Sequence, residues 1–459
     1  MSRSKMNMCE GPYLKKVILY TLPIILTGLL QLTFNAADLI IVGQFSGSTS
    51  VGAVSATGSL TNLIVNLFVG LSVGAGVMVA QSIGAGHDLE VHRTIHTAIP
   101  LALISGVILM IIGVCFSEYF LTLMGTPDDV LPLSAVYMRI YFCGMPFSML
   151  YNYGASILRA AGNTTQPLIF LSVAGVINVF FNWIFVCFFH MDVAGVALAT
   201  TMSQAISSTC VFLALCKRTD ACKLEPKKMK FYRGNFLKML RIGLPSGLQG
   251  AMFSISNIII QSSVNSFGSV VLSGNGAASS IEGFLYTTVN SFSQSAVNFA
   301  GQNMGARRLE NLKKSVYTCL GYAITIGLVL GTALAIFSEP LLSIYITDSP
   351  EAIQHGMMRM YINATTYFLL GFMDVMTGAL RGMGASIGPM FISILGVCGI
   401  RIGWVFTLFR TPAFHSLGGL CISFPISWFI TGMAELIFFL ILMRRYQKKW
   451  ASQAEPRLA

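Results

Sequence analysis

Of the 459 residues, 54% are hydrophobic and only 10% are charged, and the mean hydropathy is +0.71. Thirty-two Phe and twenty-four Met are more than a water-soluble globule of this size can hide, whereas lipid solvates them freely, so the composition excludes a soluble protein. A net charge of +11 would suit nucleic acid, but the basic residues are dispersed among the connections between apolar runs, which excludes that partner.

A membrane span needs roughly 20 apolar residues. In chain order, spans are predicted near 17–43, 52–81, 95–116, 132–156, 166–190, 194–216, 240–266, 274–300, 315–337, 355–379, 387–410 and 417–443. The fold class is therefore an all-α polytopic membrane protein with twelve transmembrane helices. The first run follows Lys15-Lys16 without a cleavage site, so it reads as a retained helix and not a signal peptide.

Charge along the chain gives the orientation. Arg3, Lys5, Lys15 and Lys16 precede span 1, Arg93 follows span 2 and Arg159 ends span 4. Nine basic residues lie from Lys217 to Arg241. Arg307, Arg308, Lys313 and Lys314 follow span 8, Arg381 ends span 10, and Arg444, Arg445, Lys448, Lys449 and Arg457 follow span 12. The alternate connections carry Glu118, Asp128, Asp129, Asp192, Glu339, Asp348 and Glu351. The positive-inside rule then makes both termini and the central loop cytoplasmic. The domain reading is an N-lobe at 1–216, a basic inter-lobe loop at 217–239, a C-lobe at 240–443 and a basic tail at 444–459.

The two halves echo one another. Pro23 recurs as Pro245 and Arg159-Ala160-Ala161-Gly162 as Arg381-Gly382-Met383-Gly384, both at an offset of 222. Gln81-Ser82-Ile83-Gly84-Ala85 recurs as Gln302-Asn303-Met304-Gly305-Ala306 at an offset of 221. Six spans per half put both halves into the membrane from the same side, so these are parallel repeats of the kind on which transporters are built. Pro23, Pro245 and the Gly70-xxx-Gly74 spacing read as bending and packing devices, and the paired Arg-x-x-Gly sequences as anchors and helix stops.

Charges inside spans are costly and therefore informative. Asp38 lies in the outer half of span 1, one turn after Asn35, where a carboxylate can serve either as interhelical glue or as a coupling-ion site. Glu282 in span 8 and Arg401 in span 11 match in depth, which predicts a buried ion pair. Asp374 lies near the inner end of span 10, either lining a cavity or at the interface. Arg139 and Arg359, equivalent in the repeat, are expected to snorkel outward. Ten scattered Cys read as small hydrophobes, and no nucleotide, phosphate or metal motif is present, which argues against an enzyme. His87, His92 and His96 read as a solvated loop face.

Asn35-Ala36-Ala37-Asp38 with Gly43, Gln81-Ser82-Ile83-Gly84-Ala85-Gly86, the Arg159 turn and the second-half counterparts together resemble the multidrug and toxic compound extrusion (MATE) family, most closely its prokaryotic DinF-like branch. The resemblance covers nearly the whole chain. It implies two pseudo-symmetric six-helix lobes forming a V around a central cavity, and a transporter driven by inward flow of H⁺ or Na⁺, with no other cofactor. The implied cargo is hydrophobic, often cationic small molecules taken from the cytoplasm or inner leaflet. A flippase or exporter of a lipid-linked or other endogenous metabolite is the alternative. It also implies residence in a bacterial inner membrane and function as a monomer. Carried over by motif, the cation-coupling residues are Asp38, Asn178, Asn182 and Thr200. Many members have a second aspartate where this chain has Asn182, so Asp38 is the cluster's only carboxylate. C-lobe acids of another branch are not transferred to Glu282 or Asp374.

Overall fold

The computed structural model describes residues 6–347 and 349–454. Arg3, Lys5, Asp348 and Arg457, which enter the charge reading, lie outside the described residues. Among the described residues all regular secondary structure is helical, as expected where no water is present to satisfy an open sheet edge.

The first half contains α1 (Tyr13–Phe45), α2 (Ser48–Gly84), α3 (Asp88–Leu123), α4 (Leu131–Cys143), α5 (Met145–Ala160), α6 (Thr165–Trp183), continued by a π-helical turn at Ile184–Phe188, and α7 (Asp192–Cys216). The second half contains α8 (Arg233–Asn265), α9 (Ser269–Gly305), α10 (Leu309–Ile336), the short α11 (Ser338–Ser343), α12 (Pro350–Gly382), α13 (Ile387–Ser393), a π-helical segment at Ile394–Gly399, α14 (Ile400–Phe406), α15 (Leu417–Cys421) and α16 (Ser423–Ala454). Counted as passes, with α4/α5, α13/α14 and α15/α16 each taken as one, these are the twelve predicted spans.

Among the described residues, eight helices are long and apolar enough by themselves to cross a bilayer. The others have physical reasons for falling short. Span 4 breaks at Gly144, where Pro146 in the first turn of α5 cannot donate to the preceding helix. At 33 to 37 residues, α8, α9 and α12 are about 50 Å or more long, but they carry polar faces that pack against other helices.

The repeated motifs turn out to be helix stops. After α2, the His87 N–H bonds the Ser82 carbonyl at 3.0 Å and the Gly86 N–H bonds the Ile83 carbonyl at 3.1 Å, with Gly86 left-handed at φ 70°. After α9, Arg308 and Arg307 make the same two bonds to Asn303 and Met304, and Arg307 takes φ 56° where the first half has glycine. The Arg159 and Arg381 sequences end α5 and α12 likewise, with Gly162 at φ 85° and Gly384 at φ 84°. Each is a Schellman-type cap that satisfies carbonyls left over at the helix end.

The chain packs as two compact units, and the division between them runs through helices α1 and α8. One unit contains Leu22–Ser254, and the other contains Met8–Thr21 together with the chain from Ile255 onward. Within the first unit the leading part of α8 lies backbone to backbone on α2: a Cβ at Gly70 would come within 2.2 Å of Gly247 N, and one at Gly247 within 2.1 Å of the Leu67 carbonyl oxygen. The Gly70-xxx-Gly74 spacing is thus a packing device. Within the second unit the leading part of α1 lies on α9, where Thr21 Oγ1 and Ser295 Oγ share a 2.7 Å hydrogen bond and Tyr20 meets Phe299 edge to face at 5.4 Å.

Candidate functional site

In the first unit, three helices bring the four motif residues together. Asn178 and Asn182 are one turn apart on α6, so both amides leave the same helix face. Asn182 is fully buried, and its Nδ2 donates both to Asp38 Oδ1 and, at 3.4 Å, to Asn178 Oδ1. Asn178 Nδ2 in turn donates to Thr200 Oγ1 at 3.3 Å, and the Thr200 hydroxyl also bonds the Asp38 carboxyl. The remaining amide oxygen, Asn182 Oδ1, is buried without a partner among the described residues. The site therefore holds one carboxylate, a hydroxyl and two amide oxygens, one of them with free lone pairs. That is an oxygen-only donor set, which suits a hard monovalent cation or a proton on Asp38 and offers nothing to a soft metal.

One neighbour of Asp38 escaped the sequence reading. Tyr137 on α4 stands close enough to feel the carboxylate charge, and its ring stacks on Tyr141 at 6.1 Å and 14°. The i, i+4 spacing of these tyrosines was the available signal.

The second unit corrects the ion-pair expectation. Glu282, only 2% exposed, pairs with Arg359 and not with Arg401: Arg359 Nη2 lies 2.8 Å from Glu282 Oε2, Arg359 Nε bonds both carboxylate oxygens at 3.2 and 3.3 Å, and Nη1 donates to Asn275 Oδ1 at 2.7 Å. Residue counting matched depths but carried no information about azimuth, and α9 packs broadside on α12, which carries Arg359. Arg359 therefore turns inward, whereas its repeat equivalent Arg139 makes an exposed pair with Glu118 at 2.9 Å. Arg401 is buried near this pair without joining it, over the Phe424 ring that Arg359 also approaches, and its Nε donates to Ser427 Oγ at 3.0 Å.

Asp374 is half-buried and engaged by its neighbours in the second unit. Asn290 Nδ2 donates to its carboxylate at 3.0 Å, and Ser293 Oγ donates to its backbone carbonyl at 2.6 Å. Nearby is an acid the sequence reading passed over, Glu435 on α16. It is fully buried and accepts from Thr377 Oγ1 at 2.7 and 2.8 Å and from Ser393 Oγ at 2.8 Å. The Arg381 charge acts on both carboxylates. An acid within the apolar run Met433-Ala434-Glu435-Leu436 was legible by the rule that found the others.

The histidines at the start of α3 form a clamp, and His96 is fully buried in it and not on a solvated face. The His92 and His96 rings stack at 3.8 Å. His96 Nε2 accepts the Glu225 N–H at 3.1 Å, while Nδ1, which then carries the proton, donates to the His92 carbonyl at 2.8 Å. Thr97 Oγ1 accepts the Tyr232 N–H at 3.2 Å, and Asn235 Nδ2 bonds Thr94 Oγ1 at 3.0 Å. These bonds pin the loop between the halves to the start of α3. Within that loop the Lys228 ammonium holds the Glu225 carboxyl below the usual carboxylate range.

The MatE family model matches residues 23–184 and again 245–407. The chain belongs to the MATE family. The two matches, one per half, are the duplication seen in the sequence, and they cover well over half of the chain. It is 26% identical over 451 residues to the probable multidrug resistance protein YoeA of Bacillus subtilis, covering 97% of this chain and 96% of that protein. It is 24% identical over 439 residues to an FAD transporter of Shewanella oneidensis, with 94% and 95% covered. A crystal structure of MATE in the bent conformation superposes with a TM-score of 0.89 at 20% identity, over 97% of this chain and 98% of that one. This MATE protein is therefore a multi-pass membrane transporter of the multidrug efflux type and not an enzyme, with the twelve-helix, two-lobe fold of its structural neighbours.

Proposed function

We propose that this protein is a cation-coupled antiporter that exports hydrophobic small molecules, many of them cationic, from the cytoplasm or inner leaflet by alternating access. The carrying observation is the hydrogen-bonded group of Asp38, Asn182, Asn178 and Thr200, which gathers side chains of three helices of one unit around a single half-buried carboxylate. A proton or Na⁺ entering from outside neutralises Asp38. The Asn182 and Thr200 bonds to that carboxylate then weaken, which gives the ion a differential affinity for two arrangements of α1 against α6 and α7. Export is coupled only if substrate and ion favour opposite arrangements. In this reading the protein lies in the bacterial inner membrane with both termini cytoplasmic, works as a monomer, and needs no cofactor besides the coupling ion, H⁺ or Na⁺.

A second reading, export of an endogenous metabolite, is supported by the Shewanella relative and by the buried cation Arg401. The first experiment is efflux of a fluorescent lipophilic cation from proteoliposomes under imposed proton and sodium gradients separately, comparing wild type with Asp38→Asn. Gradient-driven efflux that falls at least about tenfold in the variant, the loss of one essential charge-assisted interaction, supports the proposal and names the ion. Equal efflux by both proteins refutes it.

A further inference from the structure

Arg401 is a buried cation for which the described residues supply no counter-charge. It sits on α14, just past the π-helical segment Ile394–Gly399, and is 5% exposed. Its Nε donates to Ser427 Oγ at 3.0 Å. The guanidinium carbon lies 4.2 Å from the centroid of the Phe424 ring and 5.7 Å from that of Trp428. Among the described residues nothing accepts a hydrogen bond from Nη1 or Nη2, so four N–H groups of the planar fork have no protein partner. The acid that shares its surroundings, Glu282, is already held by Arg359 through three contacts, so the group of Glu282, Arg359 and Arg401 carries a net charge of one positive unit.

Isolated charges are not kept in a protein interior without compensation. The two ring faces supply part of it, and Ser427 satisfies one of the five guanidinium N–H groups. A packing role would be met equally by an apolar side chain, and an ion-pair role by the acid that the neighbouring Arg359 has. Arg401 has neither. A guanidinium whose two terminal nitrogens bond no described residue keeps the donors that take a carboxylate or phosphate oxygen pair in two parallel bonds. The surroundings favour an aromatic carrier for that oxyanion. Tyr367 packs against Trp428 at 5.4 Å and lies within the electrostatic reach of Arg401.

We propose that Arg401, Ser427, Phe424 and Trp428 form a subsite of the second unit for the oxyanion of an aromatic solute, so that the cargo includes aromatic anions. The proposal deepens the export reading by naming a substrate class, and it rests on that reading only for the direction of movement.

The test is isothermal titration calorimetry on the purified full-length protein in nanodiscs with three matched probes: 1-naphthoate, 1-naphthalenemethanol and 1-naphthylmethylammonium. Wild type should bind naphthoate at least about tenfold more tightly than the alcohol, and the ammonium more weakly than either, as a charge-assisted bidentate bond requires. Arg401→Gln should weaken naphthoate binding on the order of 10- to 100-fold and leave the alcohol within about twofold. Arg401→Lys, which keeps the charge and loses the fork, should fall between the two. If wild type binds the three probes alike, or if either variant weakens all three equally, the proposal is overturned. Should Arg401→Gln fail to purify as a monodisperse protein, the Lys variant decides by the same criterion. Asp38→Asn separates the two readings, because it should retain naphthoate binding while losing gradient-driven efflux. Efflux unaffected in that variant with naphthoate still bound through Arg401 would refute the coupling and leave the subsite standing. Asp38-dependent efflux without probe discrimination would do the reverse.

Discussion

Removing one charge from the Glu282–Arg359 pair should destabilise the second unit severely. Glu282→Gln keeps the side-chain volume but leaves the Arg359 guanidinium, only 11% exposed, without a counter-charge and with only neutral amide oxygens, that of the new side chain and Asn275 Oδ1, to accept from it. The structure gives three N–O contacts of 2.8 to 3.3 Å that lose their charge together. Breaking a buried pair on one side costs about 3–5 kcal/mol, because it strands the other charge. For a cooperative unit of roughly 200 residues this corresponds to a fall of roughly 6–20 °C in melting temperature. Since unfolding of such a protein is governed by rate, wild type and variant must be scanned at one heating rate in one detergent. The double variant Glu282→Gln with Arg359→Met, which buries no charge, should recover more than half of the loss. A single variant melting within about 2 °C of wild type would refute the reasoning, since it would mean that Arg359 is not desolvated.

Four further outcomes are expected. Asn182→Asp places a second carboxylate beside Asp38, so solid-supported membrane electrophysiology should record about one more charge moved per substrate exported; an unchanged count would mean that this cluster does not set the stoichiometry. Gly247→Val drives a side chain into the Leu67 carbonyl and should cost about 1–3 kcal/mol or more by overpacking, whereas Gly52→Ala, with open space around the new methyl, should leave the melting temperature equal or raised. His96→Phe removes the acceptor for Glu225 N–H and should speed hydrogen exchange at that amide roughly tenfold, the equivalent of about 1.4 kcal/mol, with transport retained. Because Lys228 holds the Glu225 carboxyl below its usual range, the ion pair within the loop is present at neutral pH and is lost as pH falls below that range. Once the intrinsic slowing of amide exchange in acid is divided out, protection in this loop should therefore fall on acidification, and a flat profile of protection against pH would refute that contribution.

How much of this was legible depends on what each inference needed. Span count, the break at Gly144-Met145-Pro146 and the helix stops at Gly162 and Gly384 follow from local chemistry written in a few consecutive residues. The Asp38 group was legible because two of its members share an i, i+4 face and the others belong to recurring motifs. The partner of Glu282 was not, since choosing between Arg359 and Arg401 requires the rotation of α12 about its own axis. The π-helical segments at 184–188 and 394–399 rotate the following residues off the regular helical face, which no count of residues along an ideal helix anticipates.

The division of the chain at Thr21 and Ser254 bears on how the protein is made. Helix α1 cannot meet its packing partner, α9, until well over two hundred further residues have been synthesised, and until then Tyr20 and Thr21 lack the surface that Phe299 and Ser295 provide. The first half, for its part, is not finished by its own residues, because Gly70 and Gly74 wait for a helix encoded beyond the central loop. A chain cut between the halves would yield two fragments that each lack a strip of their own interior and carry a strip of the other's. Such fragments should persist only when produced together, so the duplication is already an obligate partnership within one polypeptide.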